Sequence, residues 1–266
     1  MSSGEIKQTH SISQREQIKY RLLYWLNAYP HIFMPVARLR YRHLDDLLVS
    51  PQTDLVIEAF GRAGSTFANF AFLSAQTRPV RTVHHTHAAA QVITAVKLRV
   101  PTLVMVRPPV DSALSHMARH NISAKPALVA WVRFHQRILP YRDGIVFASF
   151  DQVTKEDFGA VIRRINTKFR TKFDIWEHTP ENEERVFERI RQRNRQRFSD
   201  ESTPARWRAL AIPTTDREAL KQELRSQIMV DALEPLRNRA ERLYSSILQL
   251  TRPRAPVDAE LAVSNR

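Results

Sequence analysis

The segment Asp54–Phe67 (DLVIEAFGRAGSTF) constrains the fold of this 266-residue chain more than any other stretch. It begins with an apolar run, continues through a turn that contains Gly61 and Gly64, and then opens a helical pattern over 67–74. A strand, a tight turn and a helix in this order direct the N–H groups of the turn and the positive end of the helix dipole at one point. The segment therefore predicts a binding site for an anionic group such as phosphate.

The turn differs from the Walker loop GxxxxGK[ST] of ATP- and GTP-binding proteins. When Gly64 and Thr66 are aligned with the end of that pattern, Ser65 takes the place of the lysine and Ala59 that of the first glycine. An ordinary NTPase or nucleotide kinase is disfavoured, because no lysine can reach the outer phosphates. A different cation, Arg62, lies two residues before Gly64. A tight turn without any ligand stays the alternative.

The charge of the chain favours anionic partners. The formal net charge is +14 and the isoelectric point is about 10.7, which attracts nucleic acid, anionic membranes, acidic glycans and nucleotides. The chain has no cysteine, so disulfides, thiol catalysis and cysteine metal sites are excluded. This composition fits a reducing compartment, and we predict a cytoplasmic protein. The sequence shows no signal-peptide pattern and no apolar run of about 18 residues, so we expect no transmembrane segment.

Short apolar runs alternate with helical patterns along the chain, at Leu55–Phe60, near residue 80, at Thr102–Val106 and near residue 146. This alternation predicts an α/β fold in which a parallel β-sheet is flanked by helices on both faces. Ligands of such sheets bind at the carboxyl ends of the strands. We therefore expect the glycine turn, the histidines at 84–87 and Arg107 to share one cleft, because each follows a predicted strand.

The predicted α/β domain spans residues 51–250 and ends in helical segments. Residues 1–50 predict a helical N-terminal cap, and Pro30 and Pro35 are expected to interrupt it. Basic and aromatic residues interleave in this cap, so it either packs on the domain or contacts a peripheral membrane or a partner. Residues 251–266 contain prolines and small residues and predict a disordered tail.

Three segments, in this order, resemble the sulfotransferases that use 3′-phosphoadenosine-5′-phosphosulfate (PAPS). The first is FGRAGSTF, in which a basic residue, any residue, glycine and two hydroxyl residues follow a strand. The second is His85-Thr86-His87, where cytosolic members of that family carry Lys-Thr-His. The third is VRPPVDSALSHMARH, in which Arg107 and Ser115 have the spacing of the family's arginine and serine. The resemblance covers about 54–248 and implies the P-loop sulfotransferase-like form of the predicted fold.

The resemblance implies a role for each matching residue. His87 is expected to be the catalytic base that takes a proton from an acceptor hydroxyl. Arg62 is expected to stabilise the leaving 5′-phosphate, as a cation does in phosphoryl transfer. The ring of Phe67 is expected either to contact adenine or to pack in the core. The residues expected to bind the cofactor are Arg62, Ala63, Gly64, Ser65, Thr66, Phe67, Arg107 and Ser115, the last two at the 3′-phosphate.

These residues predict an enzyme that transfers a sulfuryl group from PAPS to a hydroxyl of a carbohydrate or small molecule, without a metal. Two departures leave a degenerate, inactive relative as an alternative: Ala63 lacks a hydroxyl, and the family's Arg-Lys-Gly segment is absent, with Arg206 or Arg208 as possible substitutes. A non-catalytic basic protein that binds nucleic acid or another polyanion is the second alternative, although no nucleic-acid-binding motif supports it. His116 and His120 have a zinc-compatible spacing but no third ligand.

The charged segment Asn182–Arg197 has two interpretations. Glutamates lie among its arginines, so it predicts a solvated helix face with ion pairs. The alternative is a track for an anionic acceptor such as a growing polysaccharide.

Overall fold

The computed structural model of the protein describes residues 14–43, 47–197 and 215–252. Within these residues, four strands form one parallel sheet in the order β2–β1–β3–β4. The strands are β1 (Leu55–Ala59), β2 (Thr82–His84), β3 (Thr102–Val106) and β4 (Val146–Ser149).

Helices precede, separate and follow these strands. In chain order they are α1 (Gln14–Leu26), α2 (Pro30–Arg40), α3 (Ser65–Ala75), α4 (Ala89–Lys97), α5 (Pro109–His120), α6 (Ala124–Ile138), α7 (Phe150–Thr154), α8 (Phe158–Phe169), α9 (Pro180–Arg197), α10 (Thr215–Ile228) and α11 (Glu234–Leu250). Short 3₁₀ turns lie at Leu139–Gly144 and Asp231–Leu233.

Both faces of the sheet are covered by helices, which confirms the predicted fold class. Successive side chains of a strand point to opposite faces, and β3 divides its side chains between two cores. Leu103 and Met105 pack in a core with α3, α8 and α9. Val104 and Val106 pack in a second core with α5, α6, α10 and α11. Every residue of β3 is buried, which agrees with its almost entirely apolar sequence.

The strand order reverses at β1. The chain runs from β1 to β2 on one side and then crosses to β3 on the other side, with Ala59 of β1 in register with Met105 of β3. The segments that leave the carboxyl ends of β1 and β3 therefore emerge side by side. In open α/β sheets this switch point is where ligands bind.

The N-terminal helices pack on the domain. Tyr20 and Tyr24 of α1 belong to the core on the α6 side of the sheet, and Met34 of α2 packs with β1, β2 and α4. The expected interruption is confirmed at Pro30, where α2 begins after α1 has ended at Leu26, and is wrong at Pro35, which lies inside α2. A proline at the first helical position loses no helical hydrogen bond, because its N–H would have no partner there.

The domain ends in helical segments, as predicted: α10 and α11 are separated at 229–233, and Pro235 lies in the first turn of α11. The described residues do not include Arg206, Arg208, residues 1–13 of the predicted cap or residues 253–266 of the predicted tail. Within the described ranges, no helix is long and apolar enough to cross a membrane.

His135 of α6 is a buried base in the core. It is completely buried, its ring lies 3.9 Å from that of Trp131, and its Nδ1–H donates to the Trp131 carbonyl at 2.8 Å. Its Nε2 has no hydrogen-bond partner. Burial lowers the pKa of His135 from 6.5 to about 4, because a proton on Nε2 would place an unsolvated charge in the core.

We expect His135 to make the protein sensitive to acid. A depressed pKa stabilises the fold above the unfolded value near 6.5, and this stability is lost as the pH falls towards 4. One such proton changes the free energy of unfolding by about 1.4 kcal/mol per pH unit. Urea unfolding between pH 7 and 5 should therefore show a shallower pH slope for His135→Leu than for the wild type. The exposed His31→Leu variant is the control, and equal slopes for all three proteins would contradict this account.

Candidate functional site

The loop between β1 and α3 is shaped by its glycines. Gly64 has a φ of +86°, and a Cβ there would lie 3.1 Å from both Met105 Cε and Phe150 Cε2. Arg62 also has a positive φ, of 68°. Gly64 is the N-cap residue of α3, so it offers no side-chain acceptor to the N–H groups of the first turn. The loop therefore presents the positive end of an eleven-residue helix to the switch point.

His116 of α5 contacts this loop at Gly61. Its Nε2–H donates to the Gly61 carbonyl at 3.0 Å, and its Nδ1 accepts from the Tyr20 hydroxyl at 2.9 Å. Its ring stacks on Phe60, with 4.2 Å between centroids. A Cβ on Gly61 would lie 2.6 Å from His116 Nε2, so the close approach requires glycine. Because both ring nitrogens of His116 are engaged, this residue does not form the zinc pair that its spacing with His120 allowed.

Four arginines form an electrostatically coupled cluster at the loop: Arg62 lies in the loop, and the charges of Arg107, Arg119 and Arg217 act on it. Arg107 Nη1 donates to the Arg62 carbonyl at 3.0 Å, and its guanidinium lies 4.6 Å from the centre of the Phe150 ring. Arg217 of α10 is only 4% exposed. Burial and then the charges of Arg217, Arg119 and Arg107 lower the pKa of Arg62 to about 9.

The charges of the other three arginines oppose the charge of Arg62, and Glu218 offsets part of this repulsion. Glu218 is the acidic group that offsets the cluster, and its carboxylate also accepts from Lys221 at 2.7 Å. Several cations held close together in a partly buried site are costly without an anion. The cluster is therefore suited to a ligand that carries more than one negative charge.

Of the predicted cofactor residues, Arg62 and Arg107 belong to this cluster, and the others lie in the loop, in α3 and in α5. Ala63 and Ser65 are buried in the loop and at the start of α3, and Thr66 is partly exposed. Ser115 is buried on α5, beside His116, and its proposed contact with a 3′-phosphate stays a prediction. The ring of Phe67 packs against Trp176 and Phe187, at 5.9 and 5.6 Å between centroids. Of the two interpretations of that ring, the core contact is the one observed.

His87 follows β2 at the same edge of the sheet and is held by Glu58 of β1. One oxygen of Glu58 accepts from the Thr86 N–H at 3.0 Å and from the Thr86 hydroxyl at 2.5 Å. The other oxygen accepts from the His87 N–H at 3.0 Å. Burial raises the pKa of Glu58 from 4.5 to about 7. These bonds keep His87 in a left-handed backbone conformation, with a φ of 53°.

The imidazole of His87 is in the form that a base requires. Its Nδ1–H donates to the Ala59 carbonyl at 3.0 Å, so the lone pair is on Nε2. Burial, followed by the charges of Arg119 and Arg62, lowers the pKa of His87 to about 4. The side chain of His87 is 22% exposed. The centroids of the His87 and His85 rings are 5.2 Å apart. His87 is therefore neutral at pH 7, and its ring lies next to the glycine loop, because a Cβ on Gly61 would be 3.5 Å from His87 Cδ2.

Sequence reasoning missed Glu58, Arg119 and Arg217. Glu58 is the one charged residue in the apolar run LVIEAF, and a carboxylate in a buried strand is a signal of a polar network. Arg119 and Arg217 carry no local signal. They join the loop only because α5 follows β3 and α10 packs against α5.

Comparison with known proteins leaves the family open. No family model matches the sequence, and no curated protein matches it. Among solved structures, the chain is similar to the mouse sulfotransferase SULT7A1 complexed with PAP, at 11% identity, over 74% of this chain and 92% of that one, with a TM-score of 0.40. A likeness this distant decides neither the fold nor the activity.

Proposed function

We propose that this protein is a PAPS-dependent sulfotransferase that acts on a hydroxyl of a carbohydrate or small molecule. The observation that carries the proposal is the meeting of three features at one edge of the sheet. They are the glycine loop with the N-terminus of α3, the four arginines, and His87 with its lone pair on Nε2. The cations suit a nucleotide with two phosphate groups, and the neutral imidazole suits proton removal.

The proposed reaction breaks one S–O bond and forms another. The acceptor oxygen attacks sulfur while its proton passes to His87 Nε2. The bond between sulfur and the bridging oxygen of the 5′-phosphate breaks, so the products are a sulfate ester and 3′,5′-adenosine bisphosphate (PAP). Negative charge grows on the departing phosphate, where Arg62 and the N–H groups of the loop stabilise it. No step requires a metal.

The remaining residues are proposed to bind the nucleotide. The N–H groups from Ala63 to Phe67 and the hydroxyls of Ser65 and Thr66 are assigned to the 5′-phosphate. Arg107 and Ser115 are assigned to the 3′-phosphate, with Arg119 and Arg217 as further cations of the same site. Arg217 offers a cation where the sequence lacks the family's Arg-Lys-Gly segment. The cytoplasmic location and the domain limits stay predictions.

A non-catalytic polyanion-binding protein is the second candidate. The net charge of +14 favours it, but charge alone gives no reason for a histidine fixed in one tautomer beside the arginines. Oligonucleotide binding with a steep salt dependence, without a preference for PAP, would support this second candidate.

We expect PAP to stabilise the protein more than ATP or 5′-AMP does. A ligand at 100 times its Kd adds about 2.7 kcal/mol to the free energy of unfolding. For a chain of this size, that corresponds to a rise in Tm of about 5–10 °C. Thermal unfolding with each nucleotide at the same concentration measures the difference. Equal shifts with all three nucleotides would contradict recognition of a 3′-phosphate.

A further inference from the structure

The two N-terminal helices each carry a second apolar stripe that faces away from the domain. On α1, Ile18, Leu22 and Trp25 follow one another at i, i+4 and i+7 and are 64%, 55% and 40% exposed. This spacing places the three side chains on one face of the helix. Tyr20 and Tyr24, by contrast, are buried in the core. Helix α1 is therefore apolar on its outer side as well as on its inner side.

Helix α2 repeats this arrangement. Ile32, Val36 and Leu39 have the same spacing and are 37%, 59% and 74% exposed, whereas Met34 and Ala37 are buried. With Leu23, which is 49% exposed, these side chains form the N-terminal apolar surface: Ile18, Leu22, Leu23, Trp25, Ile32, Val36 and Leu39. Within the described residues, the other large exposed apolar side chains are Leu98, Met229 and Val230. The exposed apolar area is thus concentrated on α1 and α2, as at an interaction site.

The charged residues of this segment are almost all cationic. The described residues 14–43 contain six arginines and lysines, all exposed, and one acidic residue, Glu16. The cations are Arg15, Lys19, Arg21, Arg38, Arg40 and Arg42. Apolar side chains interleaved with arginine and lysine are the pattern of a helix that lies in the interface of an anionic membrane. Trp25, with Tyr29 packed 5.0 Å away, adds an aromatic pair suited to the headgroup level.

We propose that α1 and α2 dock this protein on the surface of a membrane rich in anionic lipid. Two other partners for this surface, a second copy of the chain and nucleic acid, fit its charge and its apolar side chains less well. A second copy would bring two equally cationic surfaces face to face, which opposes association. Nucleic acid would leave the apolar stripes without a partner. An anionic bilayer satisfies both features, because its acyl region buries the apolar side chains and its headgroups bind the cations.

The proposal does not depend on the sulfotransferase assignment, and its test does not use activity. The full chain is sedimented with vesicles of phosphatidylcholine that contain either no anionic lipid or about 30% phosphatidylserine. We expect at least tenfold tighter binding to the anionic vesicles at low salt, with a loss of binding as salt increases. The emission of Trp25, compared with Trp25→Phe, should shift to shorter wavelength on the vesicles. Binding that is absent, or equally strong to both vesicles, would overturn the proposal.

Charge substitutions in the stripes test the surface itself. The variants Leu22→Glu and Leu39→Glu should each weaken binding to anionic vesicles by about tenfold, since each replaces a side chain that leaves water with a carboxylate. Leu98→Glu changes a residue that is 41% exposed on another part of the molecule and should bind like the wild type. Leu39 is the safest position for folding, because it is the most exposed of the set. Wild-type binding by both stripe variants, or a dimer that they convert to a monomer in sedimentation velocity, would contradict membrane docking.

Discussion

The Arg62→Met variant is expected to cleave PAPS about 10²–10³-fold more slowly than the wild type in the presence of a hydroxyl acceptor, the loss that follows removal of one charge-stabilising donor. The substitution removes the cation beside the developing charge on the 5′-phosphate and keeps the aliphatic stem. A panel of sugars and phenols serves as acceptor, and formation of PAP is the readout. Arg62→Lys is the matched control and should retain part of the rate.

The same variant should separate a role in the site from a role in the fold. Burial and the charges of Arg217, Arg119 and Arg107 oppose the charge of Arg62, and Glu218 offsets only part of this. Removal of its charge therefore relieves repulsion in the protein without ligand, and we expect the Tm to stay equal or to rise. Residues of functional sites often lower the stability of the fold while they raise the activity. A fall in both Tm and rate would instead indicate that Arg62 serves the fold.

The His87→Ala variant is expected to lose about 10²–10⁴-fold in rate, the usual contribution of a general base, with its affinity for PAP nearly unchanged. The reason is that His87 is assigned to the acceptor proton and not to the nucleotide. The acid limb of the pH–rate profile, where protonation of Nε2 removes the base as the pH falls, should disappear with the side chain. A variant that loses PAP binding along with rate would show that His87 holds the nucleotide.

Glu58→Gln is the partner variant for His87. Glu58 accepts hydrogen bonds from the backbone N–H groups of Thr86 and His87 and from the Thr86 hydroxyl, so it acts as a positioning residue. We expect a smaller loss of rate than for His87→Ala, because the amide oxygen still accepts part of these bonds. The acid limb of the profile should remain, since the base itself is intact.

The fold was predictable because its signals are local. The apolar run of β3 and the glycine turn after β1 both indicate buried parallel strands and their loops, and the structure places the strands within a few residues of the expected limits. Alternation of such runs with helical patterns leaves few topologies, since parallel strands require crossover connections. The strand order, and with it the switch point between β1 and β3, was not predictable from any single segment.

The site was only partly predictable for the same reason. Gly64, His87 and Arg107 lie at strand ends, where position along the chain indicates position in the cleft. Arg217 acts electrostatically on Arg62 from a helix more than 150 residues later in the chain, which packs on α5. His116 was considered as a zinc ligand because spacing reports neighbours on one helix but not the partners across the core, here Gly61 and Tyr20.

The account depends on one physical claim, that the arginines and the glycine loop form a single site for an adenosine with phosphate on both the 3′ and 5′ positions. Calorimetric titration of the wild-type protein with PAP, with 5′-AMP as the comparison, tests it most directly. We predict one PAP bound per chain, at least about tenfold tighter than 5′-AMP, since the 3′-phosphate adds charge-assisted hydrogen bonds. We also predict that Arg107→Met weakens PAP binding more than 5′-AMP binding. Folded protein that gives no binding heat at millimolar PAP, or binds both nucleotides equally, would contradict the claim.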